Sequence, residues 1–234
     1  MASRPKVVST RCATLDAVLQ GGFPFSRLSL IYGEASTGKT TLATQCSIEC
    51  ACKGFKTLYV DADGSFSHDR LAQLAEGDLE RISADIVLFV PETFPEQTSL
   101  IERMKNFVTE TTGLIVVDTV SSLYRSFSGS SEEVFAQNRE LNRQLAYLSE
   151  LASMRHVAVL LVSQVHAHPL RQGNQIEPVA KRILTYWSEV VLRLSPTRDS
   201  MIKLAQLEHH YLPNVPLASC LLRITERGFE KADE

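Results

Sequence analysis

One stretch constrains this chain more than any other: GEASTGKT at residues 33–40. It fits G-x-x-x-x-G-K-[ST], a loop that cradles nucleotide phosphates. Successive backbone N–H groups must point at phosphate oxygens, so Gly33 and Gly38 supply backbone freedom and close approach. The pattern places Lys39 on the β- and γ-phosphates and the Thr40 hydroxyl on Mg²⁺. Glu34, Ala35, Ser36, Thr37 and Thr41 complete the predicted lining. A chance match in a chain of this length is on the order of one per cent. The context fits as well. Residues 28–32 (LSLIY) read as a buried strand and residues 39–52 (KTTLATQCSIECAC) as a helix, whose N-terminus favours anions.

Composition narrows the remaining classes. The 234 residues predict one domain, 1–234, with 44% hydrophobic and 22% charged residues, ordinary for a globular protein. A net charge of −3 gives no global attraction to nucleic acid or anionic lipid, so any DNA-binding surface must be local. No apolar run approaches a membrane span and the start, MASRPKVVSTR, has no apolar core of a signal peptide. Five cysteines, an odd number, beside a nucleotide loop predict a reducing, cytoplasmic setting rather than a disulfide framework. Cys46 and Cys50 share a helix face and read as small buried residues, not metal ligands.

Along the chain, residues 9–24 predict a short helix over Leu15–Leu19, capped by Ser9 or Thr10 and ended by Gly21, Gly22 and Pro24. A strand at 56–61 ends in DADGSF, which puts Asp61 and Asp63 at the edge where open α/β sheets bind ligands. A helix over 68–76, a strand over 85–90 and an amphipathic helix over 95–112 follow. LIVVD (114–118) is an apolar strand ending in Asp118, a residue suited to the Mg²⁺ shell. Residues 119–134 predict a loop carrying Arg125 between Tyr124 and Phe127, then a helix from Ser131 to about Arg155. A strand over 156–162 ends in Ser163 and Gln164. The polar segment 165–182 holds His166, His168, Arg171, Lys181 and Arg182 against a single acid, Glu177, which makes it the best local candidate for phosphate-backbone contact. Runs at 187–194, 200–206 and 219–225 read as antiparallel strands, and the tail ERGFEKADE as polar and frayed.

The order of these motifs resembles the core of the RecA/RadA recombinase family. TLDAVLQGG (14–22) precedes the first strand and YVDADGSF (59–66) is similar to the family's second-strand motif. LIVVDTVSSLYR (114–125) is similar to the strand that runs into the first DNA loop, LLVSQV (160–165) to the strand ending in a sensor glutamine, and LLRITERGFEKAD (221–233) to the closing strand. The resemblance spans roughly residues 9–231. It implies an α/β, RecA-like P-loop ATPase core: a mostly parallel twisted central sheet flanked by helices, with C-terminal antiparallel strands. Only about a dozen residues precede that core, so the family's N-terminal helical DNA-binding lobe and polymerisation linker are expected to be missing, as in its shorter archaeal paralogues.

The resemblance also implies roles. Asp63 occupies the position of the glutamate that orients the attacking water, one methylene shorter, and Gln164 that of the sensor linking γ-phosphate to the second DNA loop. Lys39, Asp63 and Gln164 form the expected catalytic set. Thr40 and Asp118 are the expected metal ligands. ATP and Mg²⁺ are the expected cofactors. Single-stranded DNA and a RadA-type recombinase are the expected partners, with self-association compatible with the family. Pro178-Val179-Ala180-Lys181-Arg182 lacks the glycine pair usual in the second DNA loop, so Lys181 or Arg182 is free to meet a phosphate of DNA or of a neighbour's ATP. Arg125, with aromatics beside it, suits single strands, where cations meet phosphates and rings stack on bases. The expected activity is ATP binding with weak hydrolysis in support of DNA recombination and repair. Two other readings stay open: a KaiC-like signalling ATPase without DNA, and a structural partner with a vestigial nucleotide site.

Overall fold

The computed structural model describes residues 6–125, 131–166, 177–178 and 180–232. Its framework follows from the apolar runs. The strands β3 (Leu28–Gly33) and β6 (Thr112–Asp118) are buried at every position, as interior strands covered on both faces must be. Before them come β1 (Val7–Val8), α1 (Ala13–Val18) and β2 (Phe23–Pro24). Between them lie α2 (Lys39–Cys52), β4 (Lys56–Asp61), α3 (His68–Leu74), α4 (Leu79–Ala84), β5 (Ile86–Phe89) and α5 (Phe94–Arg103). The chain continues through α6 (Ser122–Arg125), α7 (Ser131–Arg155), β7 (Ala158–His166), β8 (Glu177–Pro178) and α8 (Lys181–Trp187). It ends with β9 (Val190–Pro196), β10 (Ile202–His210), β11 (Ser219–Thr225) and β12 (Gly228–Lys231).

The central sheet has the order β12-β11-β10-β9-β3-β7-β6-β4-β5, with β8 paired to the end of β7. From β9 to β5 all neighbours are parallel; from β9 outward to β12 all are antiparallel. The fold is therefore a RecA-like mixed sheet, flanked by helices, with an antiparallel C-terminal extension. One core lies on the side of α1 and α2, around Leu15, Leu42, Cys46, Tyr59 and Leu160. A second lies under α5, α7 and α8, around Leu30, Ile101, Leu141, Leu145 and Leu184, and a smaller third joins α2 to α3 and α4 through Ile48, Leu71 and Ile82. Cys46 and Cys50 are buried in the first of these, as expected of small apolar residues.

Four local expectations are corrected. The helix expected over 95–112 stops at Arg103, tightens into a 3₁₀ turn at Met104–Asn106 and never reaches Thr112. In the TETT stretch the Thr109 N–H donates to Thr112 Oγ1 at 2.9 Å, so threonine side chains compete for backbone groups and make a turn. Within the expected loop 119–134, residues 122–125 are helical. Trp187 ends α8 rather than opening a strand, with its indole N–H donating to Asn142 Oδ1 at 2.6 Å. The tail is no frayed end through Lys231, because Gly228–Lys231 pairs with β11 and Phe229 is 1% exposed.

The N-terminal motif is explained by hydrogen bonds rather than by a cap on α1. Asp16 accepts from Ser9 Oγ (2.6 Å), Thr10 N (2.8 Å) and Thr10 Oγ1 (2.8 Å), pinning the entry strand to the helix. Gly22 must be glycine there: at φ +134 a Cβ would lie 2.1 Å from the Val8 carbonyl oxygen.

Candidate nucleotide-binding site

Four parallel strands deliver the candidate residues to one edge of the sheet. Gly33 ends β3 beside Gln164 of β7, while Asp118 ends β6 beside Asp61 of β4 and Val162 of β7. The loop 34–38 runs from β3 into α2, and Asp63 follows β4 by two residues. Gly33, Lys39, Thr40, Asp63, Asp118 and Gln164, distant in sequence, thus share the C-terminal edge where open α/β sheets bind ligands.

The loop is held from within. Lys39 is 6% exposed and its ammonium donates to the Glu34 carbonyl oxygen at 2.6 Å, across the loop. The buried Thr37 hydroxyl donates to the same carbonyl at 2.8 Å. Ala35 and Ser36 are exposed at the crown, with Ser36 at φ +60. Both glycines answer to packing as well as to phosphate approach. A Cβ on Gly33 would meet the Leu194 carbonyl oxygen of β9 at 2.1 Å. One on Gly38, at φ +88, would meet Phe229 Cζ at 2.6 Å and Ile224 Cδ1 at 2.7 Å. The last hairpin therefore backs the phosphate loop, a contact with no signal in the loop motif itself.

Asp118 is fully buried. Its Oδ2 accepts from the Tyr59 hydroxyl at 2.7 Å, and its Oδ1 has no hydrogen-bond partner. Burial pushes its carboxyl up to about 6, against the opposing pull of the Tyr59 and Thr40 hydroxyls, with Asp63 and Asp61 adding to the rise. A buried carboxylate oxygen without a partner, near the Thr40 hydroxyl, offers oxygen donors that would suit a divalent cation. Mg²⁺ suits such a site, since it takes one or two protein oxygens and fills its octahedron with phosphate and water. Among the described residues no cluster of three or more His, Cys, Asp and Glu offers an alternative metal site.

The two acids of DADGSF divide their work. Asp61 accepts from Ser65 N at 3.0 Å and Phe66 N at 3.1 Å, so its carboxylate builds the turn. Asp63 is exposed, and the Thr40 hydroxyl lies 3.2 Å from Ser65 Oγ, which brings this turn against the start of α2. Gln164 is half-buried. Of the candidate DNA contacts, Arg125 closes α6, His166 closes β7, Lys181 opens α8, and Arg182 is exposed on its first turn. His168 and Arg171 lie outside the described residues. Tyr124 is half-buried, its hydroxyl donating to Asn138 Oδ1 at 3.0 Å, while Phe127 lies outside the described residues.

Sequence reasoning missed three contributors. Tyr59 stands inside a quoted motif, and that tyrosine was its available signal. Gln45 bridges α2 to both termini, donating to the Thr10 carbonyl (3.4 Å) and accepting from Phe229 N (2.8 Å). Arg70 donates to the carbonyls of Thr225 (2.8 Å) and Glu226 (3.0 Å), tying α3 to the last turn. A glutamine or arginine on a helix carries no sequence signal for such a contact.

With this geometry in view, the chain matches the Rad51 family over residues 3–232. The chain belongs to the Rad51 family. It is 35% identical over 231 residues to the DNA repair and recombination protein RadB of Thermococcus kodakarensis, covering 97% of this chain and 100% of that one. It is 36% identical over 228 residues to RadB of Thermococcus onnurineus, covering 96% and 97%. RadB of Methanococcoides burtonii is 31% identical over 217 residues, covering 93% and 94%. A crystal structure of a RadB recombinase superposes with a TM-score of 0.83 at 33% identity, covering 97% of this chain and all of that one. This Rad51-family chain has no helix, among its described residues, long and apolar enough to cross a membrane.

Proposed function

We propose that this chain binds ATP with Mg²⁺, binds single-stranded DNA, and serves DNA recombination and repair as an accessory to a RadA-type recombinase. The observation that carries the reading is Asp118. Its unpartnered, buried oxygen sits at the sheet edge beside the start of a phosphate-loop helix, an arrangement that costs stability unless a cation uses it. The Rad51-family match and the printed names of the RadB relatives support the recombination role.

In this reading the backbone N–H groups of residues 34–40 and the N-terminus of α2 bind phosphate, and Lys39 leaves the Glu34 carbonyl for the β- and γ-phosphates. Thr40 and Asp118 hold the Mg²⁺, which when bound neutralises charge developing on the phosphates. Gln164, on the strand next to the loop, meets the γ-phosphate. Asp63 orients water, but its short side chain holds the carboxylate back by over ~1 Å, and misplacement of that order costs roughly 10²-fold in rate. Hydrolysis is therefore slow, and the site works as a switch. Arg125, Arg171, Lys181 and Arg182 supply cations to the DNA backbone, His166 and His168 supply imidazole hydrogen bonds, and self-association is compatible with this arrangement.

Filter binding of a single-stranded oligonucleotide, with and without ATP and Mg²⁺, tests the reading. Nucleotide-dependent retention is expected. No retention under any condition would remove the DNA role, and no nucleotide binding would leave a structural partner only. Replacing Lys181 and Arg182 together by Ala should flatten the salt dependence of DNA affinity by about one unit per lost phosphate contact.

A further inference from the structure

Between α5 and α7, beneath the turn that follows Asp118, lies a cluster of amides with no part in the site described above. Gln97 is fully buried and Gln144 is 1% exposed. Gln97 Nε2 donates to Gln144 Oε1 at 2.9 Å and reaches the Val120 carbonyl oxygen at 3.4 Å. Gln144 Nε2 donates in turn to Thr98 Oγ1 at 2.6 Å. All around them the two helices contribute Ile101, Leu141, Leu145 and Leu148 to one apolar core, where leucine would pack without polar cost.

Buried amides cost free energy unless paired, and this network is only partly paired. Gln97 Oε1 is buried without a partner, and so is the hydroxyl of Thr119, the residue before Val120. The bond to Val120 is at the long end of the useful range. A small movement of the 119–121 turn therefore has hydrogen-bonding capacity waiting to be used.

That turn is where the site and the first candidate DNA segment join. Val120 N donates to the Val162 carbonyl and Ala62 N to that of Asp118. Ser121 Oγ meets Ser163 Oγ at 3.0 Å, next to Gln164, and Ser122 Oγ donates to the Ala62 carbonyl at 2.9 Å, next to Asp63. Three residues after Ser122, Arg125 closes α6, with Tyr124 packed edge-on to Phe94, the first residue of α5. One short segment thus touches the neighbours of Asp63, Asp118 and Gln164 and leads directly to Arg125.

We propose that Gln97, held by Gln144, is a positioning residue that sets the 119–122 turn and so couples the nucleotide site to DNA binding. The inference rests on the reading that the chain binds both ATP and single-stranded DNA. Two arrangements of the turn, differing in their use of Gln97 Oε1 and the Thr119 hydroxyl, are biased by nucleotide at one end and by DNA at the other.

The test compares wild type with Gln97→Leu, Gln144→Met and Thr98→Val. Three quantities are measured on the full chain: the thermal midpoint, the affinity for a fluorescent ATP analogue with Mg²⁺, and the affinity for a single-stranded oligonucleotide with and without ATP. In wild type, ATP should change DNA affinity by about fivefold or more, the usual range of site coupling. In Gln97→Leu and Gln144→Met that factor should fall towards one while ATP affinity alone stays within about twofold; Thr98→Val should give a partial loss. A purely structural role would shift the midpoint and leave the coupling factor intact, and that outcome would overturn the inference alone. Wild type that binds neither ligand would overturn the underlying reading and the inference with it. Should Gln97→Leu fail to fold, the other two variants decide.

Discussion

The Tyr59 hydroxyl donates to Asp118 Oδ2 at 2.7 Å, and neither side chain is exposed to solvent. This pair joins the ends of β4 and β6 at the floor of the candidate site. It leaves one carboxylate oxygen without a hydrogen-bond partner. The arrangement holds a charge ready at a cost, because burial opposes ionisation of Asp118.

That cost is measurable in metal-free protein. Asp118 keeps its proton up to about pH 6 when folded and loses it near 3.8 when unfolded. Between those values the folded state binds more protons, so stability falls as pH rises and the loss is complete above about pH 6. Its full size is about 3 kcal/mol. In EDTA, Asp118→Asn should therefore be more stable than wild type at pH 7.5 and show little advantage at pH 4, by urea denaturation. On the proposed reading the same variant should lose Mg²⁺-dependent ATP binding.

His210 has the opposite sign. Burial lowers its titration below the ordinary histidine value, and neighbouring His209 and Arg27 push the same way, against the Leu19 backbone. The unfolded state then binds the proton more tightly, so stability is fully present above the unfolded value and is lost as pH falls from there through the folded value. Wild type should lose more stability than His210→Asn between pH 7.5 and 5.5, measured as the change in urea midpoint.

The last hairpin should prove structural despite its polar composition. Phe229 is 1% exposed and packs against Gly38, while its N–H donates to Gln45. Phe229→Ala should cost about 3–5 kcal/mol. On the proposed reading it should also weaken ATP binding, since the phosphate loop loses its backing. Calorimetry and nucleotide titration on the same preparation check both.

If reach alone limits turnover, Asp63→Glu should raise ATP hydrolysis by up to roughly 10²-fold. Asp63→Ala should abolish what turnover wild type has. Unchanged turnover in Asp63→Ala would show that Asp63 is not the base.

Most of the framework and the candidate site was legible in sequence, for one physical reason. Residues 28–32 and 114–117, buried on both faces, are apolar apart from Ser29, and a phosphate loop needs glycines at fixed offsets, so both leave local patterns. The ends of elements were less legible. Thr109–Thr112 reads as helix by amphipathic spacing, yet its hydroxyls capture backbone groups and turn the chain into β6.

The sequence by itself determined the RecA-like fold, the strand-loop-helix setting of residues 28–52, and the identity of Lys39, Thr40, Asp63, Asp118 and Gln164 as site candidates. Only the tertiary structure decided what surrounds them. It placed Phe229 and Ile224 against Gly38, Tyr59 on Asp118, Gln45 between the two ends of the chain, and Gln97 under Val120. Those contacts join residues far apart along the chain, each with a partner that neither periodicity nor motif spacing specifies. They become visible only when the sheet has fixed the distances between its strands.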